Sequence, residues 1–441
     1  MSLALSGGGP VEGAHREAGP LVSVTTALDE APDLLAALPA AGGVAWLRQG
    51  EGLVGWGEAA RVTAGAGAER FGRAASAVAG LFGDAVIDNR VGGWGTGPIA
   101  FGSFAFDPDS PGSSLVIPAV VVGSSGGRAW MTRTGRGRAP EPGEIEPLPM
   151  GDSPAPVGSG HPALDEESWV QAVESAREAI RNGRLDKVVL SLQVLEVSES
   201  PFDLRSVVRG LADGYPECFT FTFESLVGAS PELLVRREGR SVRSIPLAGS
   251  TRRGATGEED AELARKLLSS RKDRWEHDLA VVTVVESLHP LCRTLRIDPE
   301  PTVLRLANVQ HLATEVAGEL SADPMAPAAP MAPAAPTAPT ALEIAGAVHP
   351  TAAVCGTPTR KALAFIRELE GVNRGRYAGP VGWVDARGDG EWAIALRCAE
   401  LSGTAARLFA GAGIVSGSDP VAELEEARLK LRPVRSALNL S

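Results

Sequence analysis

The sequence predicts a globular α/β protein, on three observations. Apolar residues make up 44% and charged residues 22% of its 441 positions, a composition ordinary for folded domains. Short apolar runs punctuated by glycine and proline fill the first third. Helical periodicity then alternates with strand-like alternation through the remainder. The length is compatible with one large unit or with two or three average domains.

Charge and cysteine content narrow the function classes. A formal net charge of −12 and a pI near 5.2 argue against broad contact with nucleic acid or anionic membranes, which repel an acidic surface. The four cysteines, Cys218, Cys292, Cys355 and Cys398, lack the close pairing of zinc sites and suggest free thiols in a reducing compartment. The N-terminus lacks a basic start and apolar stretch, and the run from Leu115 to Val122 is too short to cross a bilayer. A cytoplasmic protein without membrane contact is therefore expected.

In chain order, residues 1–20 read as a flexible tail, and Gly7-Gly8-Gly9 neither follows a strand nor opens a helix, as a phosphate loop would. Residues 21–150 read as sheet and scaffold, with "GPIAFGSFAFD" a strand whose small residues permit close approach. A Gly/Pro/acidic stretch from about Thr134 to Pro162 precedes a helix beginning near Asp165. Trp169, Val173, Ala176 and Ile180 share one face of that helix, and Gly183 is its stop. "DKVVLSLQVLEV" then alternates, with Val188, Leu190, Leu192 and Val194 on one face and Lys187, Val189, Ser191 and Gln193 on the other. Residues 322–340 carry the repeat MAPAAP, bury too little side chain to order themselves, and read as a disordered surface insert in one unit.

The most suggestive chemistry lies in "GAGIVSGSDPVAELEEARLK", a glycine-rich turn entering a helix with Asp419 as N-cap and Pro420 at its first position. Glu423, Glu426 and Lys430 fall on one stripe of this helix, beside an apolar stripe of Val421, Leu424 and Leu431. Two carboxylates on one face suit a hard divalent cation, but this segment alone favours a solvated acidic face. "DRWEHDLAVVTVVESL" supplies Glu276, a third carboxylate for such a site, and His277, read as a hydrogen-bonding neighbour. Gly249-Ser250 offers donors to an anion. Lys187 and Glu232 are single residues that spacing alone does not distinguish. Serine-hydrolase, P-loop and dinucleotide signatures are absent.

The order of the segments says more. "LDKVVLS", "SPELLVRR", "IPLAGSTRRG", "KDRWEHDLAVV", "VQHLATEV", "HPTAAVCGTP", "RYAGPVGWVD", "IALRCAEL" and "LFAGAGIVSGSDPVAELEE" occur in sequence. Together they closely resemble the chorismate-utilising enzymes, especially isochorismate synthases, over roughly Asp165 to Lys430. That resemblance implies a single large α/β unit of two packed antiparallel sheets flanked by outer helices, with the chorismate-binding region at about 160–435. It implies magnesium held by Glu276 and Glu423 with Glu426 close by, binding the ring carboxylate of chorismate. Tyr377 and Arg397 match positions that bind the enolpyruvyl carboxylate. Gly249, Ser250, Gly411 and Gly413 match the walls around the two carboxylates, and Lys430 a lysine near the metal pocket. Lys187 matches the base that activates water at ring carbon 2, and Glu232 the acid that protonates the departing hydroxyl at carbon 4.

Within the family, Lys187 stands where anthranilate synthases usually carry glutamine, so no glutaminase partner is expected. Ala248 stands where aminodeoxychorismate synthases place a nucleophilic lysine. The Ala353-Val354 step resembles isochorismate synthases, whereas salicylate synthases, the alternative, tend to have threonine at the first position. A non-catalytic chorismate-binding homologue would be marked by loss of Lys187, Glu232 or a metal carboxylate, and all are present. The resemblance thus implies a monomeric isochorismate synthase supplying menaquinone or siderophore biosynthesis.

Overall fold

The computed structural model describes residues 19–39, 43–141, 166–321 and 338–440. These build a sheet of twelve strands, a second of nine and a small third of three. The two large sheets were expected; the third, formed by Leu247–Arg252, Thr302–Arg305 and Val309–Ala313, was not. Pairing is antiparallel apart from Val22–Thr25 against Val86–Asn89. No described helix is long and apolar enough to cross a membrane.

The N-terminal third completes both large sheets. Strand Val44–Arg48 pairs with Phe219–Phe223 in the twelve-stranded sheet, and Ile99–Ser103 pairs with Pro380–Asp385 in the other. Ile99–Ser103 is the strand read from "GPIAFGSFAFD", and it is buried throughout. A Cβ on Gly102 would lie 2.7 Å from Leu115 Cγ and 2.8 Å from the Ser114 carbonyl, so glycine alone allows the two strands to pack. The apolar run Leu115–Val122 is two strands: Ser114–Ile117 belongs to the nine-stranded sheet and Val120–Ser125 to the twelve-stranded one. Pro118, with no N–H to give a ladder, marks the step between them.

Helix Glu166–Arg181 buries Trp169, Val173, Ala176 and Ile180 as its periodicity predicts, and Gly183 ends it at φ +71°. Trp169 Nε1 donates to the Ser191 carbonyl at 3.0 Å, fastening the helix to strand Lys187–Val197. The first six residues of that strand are buried on both faces, including the more polar one that begins at Lys187. The strand that begins at Arg128 runs to Arg136, three residues into the stretch read as a separator.

Two boundaries shift. The predicted insert ends before Thr340, which caps helix Ala341–Val348: its hydroxyl accepts from Glu343 N at 3.2 Å while the Glu343 carboxylate accepts from Thr340 N at 2.8 Å. This reciprocal box fixes the last residues of the segment; 322–337 and the tail to residue 18 lie outside the described residues. In the C-terminal helix Pro420–Ala437, Val421 is 63% exposed and does not join the apolar stripe. The buried apolar stripe runs through Pro420, Leu424, Ala427, Leu431 and Val434, a 4-3-4-3 spacing that puts Val421 a residue round from the core. Asp419 caps this helix as expected, accepting from Ala422 N at 2.9 Å.

Because Trp169 joins helix to strand through both packing and its indole N–H, Trp169→Ala should lower the unfolding free energy by about 3–5 kcal/mol in urea denaturation.

Candidate active site

One cavity gathers most of the candidate residues. It is lined by Glu232, Gly249, Ser250, Glu276, Ala353, Val354, Tyr377, Arg397, Gly411, Gly413 and Lys430, and by His311 and apolar neighbours. It lies where the outer strands Lys187–Val197 and Ala405–Ile414 of the twelve-stranded sheet face the small sheet, with helices Arg271–Leu288 and Pro420–Ala437 contributing Glu276 and Lys430. Lys187 and Glu426 are not in its lining and adjoin it through ion pairs with Glu276 and Lys430, whereas Glu423, also outside the lining, pairs with Lys272, which is outside it too.

Lys187 is fully buried. Its Nζ lies 3.1 Å from Glu276 Oε1, an ionic contact without hydrogen-bond alignment. Gly413 makes room for this pair: a Cβ there would fall 2.0 Å from Glu276 Oε1 and 2.9 Å from Lys187 Cε. The backbone of Lys187 is clamped by the segment "HPTAAVCGTP". Lys187 pairs with Thr357 and Val188 with Gly356, and Val189 N donates to the Cys355 carbonyl at 2.9 Å. Gly356, at φ +127°, lets the two chains approach, since a Cβ would sit 2.3 Å from the Lys187 carbonyl. The Ala353-Val354 step and the lysine are therefore parts of one rigid unit.

Glu232 is 3% exposed, and burial raises its pKa to about 8 although Leu247 N, Lys187 and Lys430 pull it down. Its carboxyl holds a proton at neutral pH, which a general acid requires. Across the cavity, Arg397 is buried in left-handed backbone, φ +47°. Its Nη2 donates to His311 Nε2 at 2.7 Å, and its Nη1 has no hydrogen-bond partner among the described residues. Burial, with Arg397 and Lys430 nearby, holds the His311 pKa well below its usual value. The neutral ring then accepts at Nε2 from the guanidinium and donates from Nδ1 to Ser250 Oγ at 3.0 Å. A buried guanidinium with a free N–H and no carboxylate of its own is an anion receptor. Tyr377 stacks on Phe409 with ring centroids 5.0 Å apart, and its hydroxyl reaches the space a side chain at Gly411 would fill, 2.7 Å from that position.

The carboxylates form a charged cluster with the lysines. Lys272 Nζ donates to Glu423 Oε1 at 2.7 Å; Lys430 Nζ lies 2.7 Å from Glu426 Oε1 and donates to the Gly411 carbonyl at 2.9 Å. Burial and then the adjacent Glu426 push the Glu423 pKa up to about 7, while for Glu426 burial is outweighed by Lys430, Lys272 and Ser250 and its pKa is lowered. The stripe read as a possible solvated face thus points inward. His277 is a neighbour, as expected: its Nε2 bonds Thr314 Oγ1 at 2.7 Å, and burial lowers its pKa to about 4.

Three features escaped the sequence reading. His311 stood within a quoted motif, "VQHLATEV", without being singled out. Lys272 neighbours Glu276 in sequence, yet only the fold brings it to Glu423. Glu370 and Arg374 form a buried ion pair; Arg374 donates to the carbonyls of Val354 at 2.9 Å and Val189 at 2.7 Å, and Glu370 accepts from Ser191 N at 2.7 Å. Their i, i+4 spacing was a detectable signal.

The family model described as "Chorismate binding enzyme" matches residues 152–439. The chain is 40% identical to isochorismate synthase DhbC of Bacillus subtilis over 290 residues, 63% of this chain and 69% of that protein. It is 32% identical to isochorismate synthase MenF of the same organism over 367 residues, 78% of this chain and 75% of that one. The solved structure of a putative 2,3-dihydroxybenzoate-specific isochorismate synthase, DhbC from Bacillus anthracis, superposes with a TM-score of 0.73 at 32% identity, covering 92% of this chain and 99% of that chain.

Gly413→Ala forces Glu276 and Lys187 apart and should cost about 1–3 kcal/mol of stability, the scale of overpacking. Combining it with Glu276→Ala removes the obstructing oxygen, so urea unfolding should show a double-mutant cost clearly below the sum of the single ones.

Proposed function

The chain belongs to the chorismate-binding enzyme family, and from that membership we propose that it is an isochorismate synthase. The observation that carries this reading is a single cavity bearing a protonated buried acid, Glu232, with a buried lysine behind its wall and an unpaired guanidinium across it. Chorismate offers what such a cavity binds: two carboxylates and a ring that exchanges one hydroxyl for another.

Arg397, held by His311, and Tyr377 take the enolpyruvyl carboxylate, and the backbone around Gly249 and Gly411 lies alongside the bound molecule. Lys187, which acts as a base only in its neutral form, accepts a proton from water as the oxygen bonds to ring carbon 2. The ring double bonds shift, and the bond from carbon 4 to its hydroxyl breaks as Glu232 donates its proton, releasing water. Water enters and water leaves, so substrate and product are isomers. Hydroxide is a poor leaving group, and a carboxyl kept neutral by burial removes that obstacle.

Magnesium is part of the proposal. Among the described residues no group of three or more His, Cys, Asp or Glu is placed to hold a metal ion, so the proposal relies on one or two carboxylates with substrate and water oxygens completing the shell. That suits an ion which retains water and takes one or two protein carboxylates together with substrate oxygens. Glu276 and Glu423, with Glu426 beside them, would hold it. Burial first, and then the like charges of Glu426 and Glu276, raise the proton affinity of Glu423, and a divalent cation would relieve the like-charge part. Bound there, the ion supplies a counter-charge for the ring carboxylate.

Pure protein given chorismate and magnesium should yield isochorismate by proton NMR with no pyruvate; pyruvate release at neutral pH would replace this reading with salicylate synthase. Activity should disappear in EDTA. Lys187→Gln should lower kcat by about 100-fold or more while chorismate still binds; full activity would remove this lysine from the mechanism.

Glu232→Gln should also lower kcat by about 100-fold or more, with an additional pH signature. The wild-type carboxyl stays protonated in the folded state up to about pH 8, whereas the unfolded chain releases that proton near pH 4.5. This group's contribution to wild-type stability therefore falls as pH rises from about 4.5 to 8. The melting temperature of the variant relative to wild type should increase across that window. A pH-independent difference would contradict the raised pKa.

A further inference from the structure

Each carboxylate of the cluster has its own lysine: Glu276 has Lys187, Glu423 has Lys272 and Glu426 has Lys430. The lysines differ in how firmly they are held. Lys187 is enclosed, with no exposed side-chain surface, and Lys430 is tied a second time through the Gly411 carbonyl. Lys272 makes one hydrogen bond among the described residues, to Glu423, and 34% of its side chain is exposed. It occupies the second position of helix Arg271–Leu288, where the free N–H groups of the first turn disfavour a cation, and lies one turn before Glu276 on the same helix. On its own helix Glu276 attracts this charge, and Glu276 is itself one of the carboxylates proposed to hold the metal.

Glu423 is in the opposite situation. Its side chain is only 3% exposed, so when its lysine departs the carboxylate must take either a proton or another cation. An enclosed anion joined to a cation with a path to solvent is an exchangeable pair.

We propose that Lys272 is the resident cation of Glu423 while the site holds no metal, and that it swings into solvent when a divalent ion takes that carboxylate. The inference rests on the assignment of Glu423 as a magnesium ligand made above. Lys272 is then a positioning residue: it keeps the cluster electrically balanced in the metal-free enzyme and competes with the incoming ion. The identity of its neighbours gives this competition a direction, since removing the lysine weakens the metal-free state and strengthens metal binding together.

The test uses the full chain stripped with EDTA and titrated with Mn2+, without chorismate, following free Mn2+ by electron paramagnetic resonance. Lys272→Met keeps most of the stem and removes the charge. It should bind Mn2+ about tenfold more tightly than wild type, the scale of one charge-assisted hydrogen bond lost from the competing state. Its melting temperature in EDTA should be below that of wild type, and the rise on adding Mg2+ should be larger. Lys272→Arg retains the competing charge and should bind no more tightly than wild type, which keeps the test decisive if Lys272→Met does not fold without metal. Equal or weaker Mn2+ binding by Lys272→Met, or tighter binding by Lys272→Arg, would overturn the inference. The metal assignment fails separately: Mn2+ binding in the presence of chorismate that is unaffected by Glu423→Gln would refute Glu423 as a ligand.

Discussion

The site depends on a constraint set by burial of charge. A lysine with no exposed surface cannot stay charged without an anion, and the anion must approach without displacing a strand. Glu276 supplies the charge and Gly413 the space, its missing side chain leaving room that any other residue would fill. The same economy of volume recurs at Gly411, beneath the Tyr377 hydroxyl, and at Gly356, where the strand Gly356–Thr357 lies on the backbone of Lys187. Three glycines at close approaches thus allow large polar side chains to share a small enclosed space.

Charge is arranged with opposite outcomes on the two sides of the cavity. Near the carboxylates each negative group meets a lysine, so the cluster has little net charge of its own. Around Arg397 no carboxylate among the described residues competes for the guanidinium, and the neighbouring imidazole is kept neutral. Glu232 stands between these regimes and remains uncharged because burial outweighs its lysine neighbours. A substrate with two carboxylates is matched by one wall that offers a guanidinium and another that can take a cation.

Much of this was legible before the structure, wherever the signal was local. The Trp169 face, the Gly183 stop, the Asp419 cap and the alternation through Lys187–Val197 each follow from covalent geometry and burial within one element, and each appears as read. Site residues such as Lys187 and Glu232 carried no local signal and were identified by their place among nine ordered motifs. What stayed hidden needed the third dimension. The Lys272 bond to Glu423 spans 151 residues and the Arg397 bond to His311 spans 86. The division of the Leu115–Val122 run was not legible either, because one apolar string can serve two sheets when a proline turns it, and hydrophobicity does not report which sheet receives each half.

That step at Pro118 has a consequence for how the chain reaches its folded state. Adjacent short strands are committed to different sheets, and partners such as Val44–Arg48 and Phe219–Phe223 lie well over a hundred residues apart. Neither sheet can be finished by a contiguous stretch of chain. Topologies dominated by such distant pairings fold slowly, because loop-closure entropy is lost before the contacts that compensate for it form. On a ribosome the early strands must wait for their partners with open edges, so the nascent N-terminal third is the stage at which this molecule is most exposed to aggregation.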